Sequence, residues 1–436
     1  MLAPLLAAVV SLWMPQSAPA AAPACREWHE CQRLAMESYT RGDYEQFHDL
    51  AWRTVQTGPP RNPELMYLLA RAQSLSGRPH DALVMLERLA DLKFETAAAT
   101  DDDFRAVRQL HQWPELEAML LPSPPVLPTS APPFVTARVP DVGSPAVDPA
   151  TPIAVAPRRA EETVRVPGTP LSSAGLAYDR VSSRFVIAGE NRRKLMVIDE
   201  RSQHVIDLVT AQSAGFYDIT GLEIDPARGD LWVVSADPSA CALHKLQLVS
   251  GRPLDRIPLP PAPEPCRVVD IAVTSAGRVL LLDAASSKVI GYRPANRTFA
   301  TVATLQLDSP TSLAPAGDRL VYVAHRSGIA RVDGATGSVE SLAASPDVAL
   351  AGFERIRWTR NSLVGIQRTS DGRARAVRIK IVEGRAATLE VLDDGLSATD
   401  HPIATVSGED FYLLAREPAV PPGDGRDIVI RRSRVR

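Results

Sequence analysis

Between Leu171 and Arg436 the sequence repeats one phrase six times, and nothing else in the chain limits its fold so severely. The copies read GLAYDRVSSRFVIAG from Gly175, GLEIDPARGDLWVVS from Gly221, DIAVTSAGRVLLLDA from Asp270, SLAPAGDRLVYVAHR from Ser312, RIRWTRNSLVGIQRT from Arg355 and PIATVSGEDFYLLAR from Pro402. Each runs a short apolar strand into a polar turn holding Gly, Asp or Asn and returns as a second, more apolar strand. The anchoring residues Leu176, Leu222, Ile271, Leu313, Ile356 and Ile403 are spaced by 46, 49, 42, 43 and 47 residues. Four strands at that period predict a β-propeller.

The later half of each unit supports the same reading. The third strand tends to end in Asp or Arg before a turn rich in Gly or Asn, as in Val332-Asp333-Gly334-Ala335-Thr336-Gly337, which is hairpin chemistry. The last unit is short: after Pro402–Val406, Phe411–Ala415 and a Pro/Gly-rich loop, the stretch Ile428–Val435 is its third strand. Three strands leave an open edge, which a closed ring has to cover. The spare strand Thr163–Val166, just before the first unit, is expected to pair with the last one and latch the ring. Six units and this latch give an all-β six-bladed propeller over residues 161–436.

The unit sequences resemble the six-bladed group that holds NHL-repeat proteins and the SMP-30/gluconolactonase family. The resemblance covers Leu171 to Arg436. It rests on Gly221-Leu222-Glu223-Ile224-Asp225-Pro226 with Leu231-Trp232-Val233-Val234, and on Asp283 followed by Val289-Ile290-Gly291-Tyr292. In the lactonases of that family a divalent metal sits at the channel mouth, held by a Glu from an early Glu-Gly-Pro, mid-chain Asn residues and a late Asp beside Gly. This chain has Ser173-Ala174-Gly175 at the first of these places and no Asn before its later blade-entry strands. What remains at the blade entries is Asp218, Asp270, Glu354, Asp400 and His401, with Arg355 and Arg357 nearby. Since the first strand of every blade lines the central tunnel, these side chains are expected to converge there. Carboxylates beside a histidine suit a divalent cation or a small polar ligand; the plainer reading has each bonded to backbone amides or to a neighbouring Arg.

The N-terminal third is different in kind. Leu2 to Trp13 is an apolar run of signal-peptide length, and Ala18, Ala20, Ala22 and Ala24 offer cleavage sites, so residues 1–24 read as an export signal. A lipoprotein reading, with Cys25 acylated, stands beside plain export. Residues 25–120 carry apolar side chains at helical spacing: Phe47, Leu50, Ala51 and Val55, then Leu65, Leu68, Leu69 and Ala72, then Ala82, Leu83, Leu86 and Leu89. Asn62 before Pro63 is a helix start. Ala70 and Ala72, Gly77 at the turn, and Ala82 with Leu86 resemble tetratricopeptide repeats, and the shortened pair at Asp103–Val107 and Trp113–Leu116 looks like the truncated end of such an array. That resemblance implies a protein partner. Residues 121–160 hold 11 prolines without apolar period, and read as a semi-rigid linker that uncouples the two domains.

Composition narrows the functions further. A net charge of −3 and 5% aromatic residues do not mark a nucleic-acid binder, and no second apolar stretch is long enough to span a bilayer. Four cysteines suit an oxidising compartment, periplasmic or secreted. Cys241 and Cys266 bracket the outer part of the second unit, where a disulfide and two unpaired thiols are both readable; Cys25 reaches Cys31 only if it lies outside the helix that carries Cys31. The chain lacks a Gly-x-Ser-x-Gly elbow, His-Glu-x-x-His, a phosphate-cradling Gly-Lys-Ser/Thr and a dinucleotide fingerprint. Two functions follow: an exported protein- and ligand-binding protein, or a metal-dependent lactone hydrolase using the tunnel carboxylates.

Overall fold

The computed structural model describes residues 25–120, 160–168, 171–189, 193–225, 227–261, 266–396, 402–418 and 426–435. The expected leader and nearly all of the Pro-rich segment fall outside these ranges, as do Asp400 and His401.

Helices α1 (Trp28–Thr40), α2 (Tyr44–Thr57), α3 (Pro63–Leu75) and α4 (Pro79–Asp91) pack as two consecutive hairpins, α1 on α2 and α3 on α4. Their starts follow from local chemistry. The Asp43 carboxylate accepts the Gln46 amide, and the Asn62 side chain accepts those of Glu64 and Leu65 with Pro63 in the first turn, satisfying donors that a helix leaves unpaired. Ala70, Ala72 and Ala82 are fully buried, which lets the hairpins close on one another. Two short helices, α5 (Arg105–Arg108) and α6 (Trp113–Leu120), finish the region, with Trp113 and Leu116 buried. Cys25 precedes α1 and is bonded to Cys31, their Cα atoms 5.3 Å apart.

The C-terminal region forms six four-stranded antiparallel sheets. Five take all four strands in chain order, first strand innermost, and the six innermost strands lie side by side around a closed ring, sixth beside first. The sixth sheet is completed by Glu161–Val166, paired antiparallel to Arg426–Arg434 with Val164 opposite Ile430 and Val166 opposite Ile428. The expected latch is therefore present. Between the second and third blades, Cys241 and Cys266 form a disulfide across a separation of 25 residues, a loop whose closure stabilises by about 3 kcal/mol in the chain-entropy account.

The helices do not hang free of the ring, and here the structure corrects the expectation of uncoupled domains. The turn between the first two strands of blade two reaches α2: Gly229 lies under the indole of Trp52, and Arg228 Nε is 3.9 Å from Asp49 Oδ2. From α4, buried Asp81 accepts the Ser250 amide at 2.9 Å, and Arg88 pairs with Asp199 of blade one. Helix and propeller side chains belong to one continuous apolar core that joins Trp52, Met85 and Leu86 to Val181, Leu231 and Leu248. The sequence hid this because Trp52 and Met85 fall on helical spacings that also suit packing within a hairpin.

All these contacts involve turns at the ends of first or third strands, so the helices cover the face of the propeller where its innermost strands exit. Gly229 has φ +68, and a Cβ there would stand 2.6–2.9 Å from three atoms of the Trp52 ring. Gly229→Ala is expected to destabilise the native state by about 2–4 kcal/mol, backbone strain and overpacking each contributing. Urea titration checks this; a midpoint equal to that of wild type would mean that the contact with Trp52 carries no weight.

Candidate functional site

Side chains alternate along a strand, so the residues immediately before and after each anchor face the hub. The first ring reads Gly175, Gly221, Asp270, Ser312 and Arg355, and the second reads Ala177, Glu223, Ala272, Ala314 and Arg357; in blade six the alternation is offset, Ala404 packing against blade five and Thr405 lining the hub. Most of these are small because the innermost strands crowd at the axis: a Cβ on Gly175 would lie 2.9 Å from the Leu222 side chain. Charge is confined to four positions, Asp270, Arg355, Glu223 and Arg357. Bulges help to aim them, since the register shifts between Val268 and Asp270 and between Phe353 and Arg355.

Asp270 is completely buried and fully engaged. It pairs with Arg355, accepts Arg357 Nη1 and Nη2 at 3.0 and 3.2 Å, and accepts the amides of Ile271 and Leu313 at 3.0 Å each. The Ser312 hydroxyl donates to it at 2.5 Å. Burial alone would raise the Asp270 carboxyl, but the two guanidiniums outweigh it and hold it below its ordinary range. One carboxylate thus ties blades three, four and five together.

Glu223 faces this cluster from blade two. Its Oε2 is 3.5 Å from Arg357 Nε, a contact that crosses the hub between opposite blades. Neither atom has a hydrogen-bond partner among the described residues. Burial pushes the Glu223 carboxyl up to about 7, against the pull of Arg357. The native state therefore binds this proton more tightly than the unfolded chain does. The resulting stabilisation is complete below the ordinary value of 4.5 and is lost as pH rises through about 7. Glu223→Gln is expected to flatten this part of the stability–pH curve, read as urea midpoints from pH 4.5 to 8; an unchanged slope would count against a partly buried, titrating Glu223.

On the helical side of the cluster lies a cavity of about 410 Å³. Its walls are the ends of the innermost strands of all six blades, with Glu223, Arg357, Tyr178 and Trp358 among the lining residues, and Trp52, Gln56 and Thr57 of α2 cover it. Trp52 is 2% exposed, yet its indole Nε1 has no partner among the described residues. The cavity is thus lined by two opposed pairs of charged residues, Glu223 with Arg357 and Asp179 with Arg180, and by the aromatic residues Trp52, Tyr178 and Trp358.

The residues expected at the tunnel mouth do not gather into one group. Asp270 is in the hub. Asp218 is half-exposed and bonded to Arg193 at 2.9 Å, and Glu354, the extra residue of its bulge, pairs with Arg368 at 2.6 Å. Asp400 and His401 lie outside the described residues. Among the described residues no three His, Cys, Asp or Glu side chains group as metal ligands. The described members of the set do not fit a divalent cation: both oxygens of Asp270 are already taken by arginines and amides, and Asp218 and Glu354 face their own cations. Glu223 sits near the far end of its strand, away from the positions that the blade entries mark in the sequence. The position after each anchor, read across all six copies, would have singled it out with Arg357.

No family model matches this sequence, and no curated protein matches it. Solved structures do show a fold likeness. A gluconolactonase from Xanthomonas campestris aligns at 16% identity over 66% of this chain and 98% of its own, with a TM-score of 0.44. The PQQ-bound aldose sugar dehydrogenase of Streptomyces coelicolor aligns at 11% identity over 63% and 100%, with a TM-score of 0.42. Virginiamycin B lyase from Staphylococcus aureus aligns at 11% identity over 60% and 94%, with a TM-score of 0.39. These proteins differ in activity, and the six-bladed architecture of this chain rests on its own strand order.

Proposed function

We propose that this chain is an exported binding protein. Its helical repeats, of the tetratricopeptide kind, present a surface to a protein partner, and its propeller, of the NHL and SMP-30 kind, is a rigid base that holds a small polar ligand. The observation that carries this reading is how the hub uses its charge. Asp270 is spent on Arg355, Arg357, Ser312 and two amides, which suits a braced scaffold better than a metal-dependent hydrolase. The helices are seated through α2 and α4, while α1 turns Arg33, Met36 and Glu37 to solvent. Two disulfides support an oxidising compartment, and no helix among the described residues is long and apolar enough to cross a membrane.

The test uses the whole chain with a photoreactive amino acid in place of Arg33. Adducts formed in the envelope of the native host should resolve to one partner, and excess unlabelled chain should suppress them. Stoichiometric divalent metal in the purified protein, with lactone turnover abolished by chelator, would overturn the binding-protein reading in favour of a hydrolase.

A further inference from the structure

Where the second and third strands of a blade end together on the helical face, charged side chains stand across from one another. Blade one sets Arg184 opposite Asp199, blade six sets Asp410 opposite Arg434, and in blade four Arg319 donates to Asp333 at 3.0 Å. Blade three breaks the pattern. Its second and third strands, Val279–Asp283 and Lys288–Arg293, pair Val279 with Tyr292, which puts Arg278 across from Arg293. Like charges so placed repel. Among the described residues neither guanidinium is in an ion pair, and Arg278 Nη1 reaches only the Gly334 carbonyl of blade four, at 3.5 Å. Burial and the charge of Arg293 both push the Arg278 guanidinium below its ordinary value, and no described carboxylate offsets them. The seat is built as well: a Cβ on Gly291 would stand 2.5 Å from Arg278 Nε and 2.6 Å from Arg278 Nη2, so the guanidinium fills the space of that missing side chain. Leu280, two residues on, belongs to the apolar cluster of Leu313 and Val321, so Arg278 and Arg293 lean toward blade four.

We propose that Arg278 and Arg293 form a docking point for an acidic segment of a protein partner, binding an Asp or Glu side chain of that segment in the wedge between blades three and four. This goes beyond the reading above, which places a partner on α1 and gives the propeller only a small ligand. The chemistry follows from the pair. A guanidinium fork matches a carboxylate with two parallel N–H donors, and a second guanidinium opposite it makes the site wait for negative charge. The surroundings choose among anions. Gly277, beside Arg278, packs against Arg228, which lies 3.9 Å from Asp49 of α2, and residues 26–120 carry 11 basic against 16 acidic side chains. On the other side Asp318 accepts the Ala276 amide at 2.7 Å. Regularly spaced phosphates, or an anionic bilayer, would meet these acids; a peptide presents one or two carboxylates and keeps the rest neutral.

The full chain is titrated with the acetylated, amidated peptide Gly-Ser-Glu-Glu-Ser-Gly, with its Gln-Gln counterpart, with a short oligothymidylate and with phosphatidylglycerol vesicles. Calorimetry is expected to show saturable binding of the Glu-Glu peptide, weakened by salt and at least about ten-fold tighter than that of the Gln-Gln peptide. Arg278→Gln and Arg293→Gln should each weaken it about ten-fold, the loss of one charge-assisted contact. Arg201→Gln, which removes a charge from a blade-one turn on the same face, should leave it unchanged. Because removing Arg293 also ends the repulsion, the urea midpoint of Arg293→Gln should equal or exceed that of wild type; a merely structural pair would lose stability instead. Equal binding by wild type and both variants, or equal weakening by Arg201→Gln, overturns the docking point. A lowered midpoint for Arg293→Gln overturns the uncompensated pair. Tighter binding of oligothymidylate or vesicles overturns the peptide class, and no saturable binding of the Glu-Glu peptide up to about 10 mM overturns the inference altogether. The adducts formed through Arg33 on α1 report on the first partner surface independently of all these outcomes.

Discussion

Replacing Asp270 with alanine is expected to cost about 3–5 kcal/mol of stability, the range for removing one partner of a buried ion pair. The reason lies in what stays behind. Arg355 and Arg357 keep only 12% and 6% of their side-chain surface, so neither guanidinium can turn to water once the carboxylate is gone. The amides of Ile271 and Leu313 and the hydroxyl of Ser312 lose their acceptor in the same step. Asp270→Asn keeps the shape and part of the hydrogen bonding, and should fall between wild type and alanine. It should also change the acid limb. Because the Asp270 carboxyl is held below its ordinary value of 3.8, the native state binds that proton less tightly than the unfolded chain. Its stabilisation is complete above 3.8 and is lost as pH falls through the lowered value, and the asparagine variant should not show that loss. Asp218→Ala is the comparison: its ion pair with Arg193 leaves both side chains more than half exposed, and its removal should cost less than about 1 kcal/mol. Urea titrations at neutral pH decide the matter. An Asp270→Ala midpoint close to that of Asp218→Ala would remove the central brace from this account of the hub.

That contrast shows how far the sequence reaches. The repeat of the anchors is a consequence of every blade burying the same apolar position against its neighbours, so blade number, strand order and the need for a latch were all legible from one chain. Asn62 before Pro63 and the bracketing cysteines were legible for the same reason, because short-range geometry decides them. The site was legible only in part. Asp218, Asp270 and Glu354 occupy similar places at strand entries, yet the bulges send Asp270 to the hub and leave Glu354 beside Arg368. A bulge adds one residue and exchanges inside for outside, and no single strand announces it. Glu223 acquires its character from Arg357 on the opposite blade, a relation that exists only once the ring is closed. The roof over the chamber was the least legible feature, because the spacing of Trp52 says that it is buried and not by what.

Closure of the ring gives the second large effect. Val164→Asp is expected to destabilise the protein by at least about 4 kcal/mol, since an unpaired carboxylate would enter a wholly apolar space. Val164 is fully buried and stands opposite Ile430, in one cluster with Ile428 of the last blade and with Leu176 and Phe185 of the first. Thr163 adds a bond from its hydroxyl to the Ile430 carbonyl at 3.0 Å. The other blades draw their outermost strands from the same stretch of chain as the rest of the sheet; the sixth draws its own from the far side of the first. A substitution there therefore removes core packing and uncovers the edge of Arg426–Arg434 together, and the two losses share a single event, the opening of the seam. Ile206→Asp separates position from chemistry. Ile206 lies in the outermost strand of blade one but is 57% exposed, so the same new charge at the rim should change the urea midpoint little. If Val164→Asp also melts within about 1 kcal/mol of wild type, well below the cost of a buried charge, the seam is held by something other than the latch.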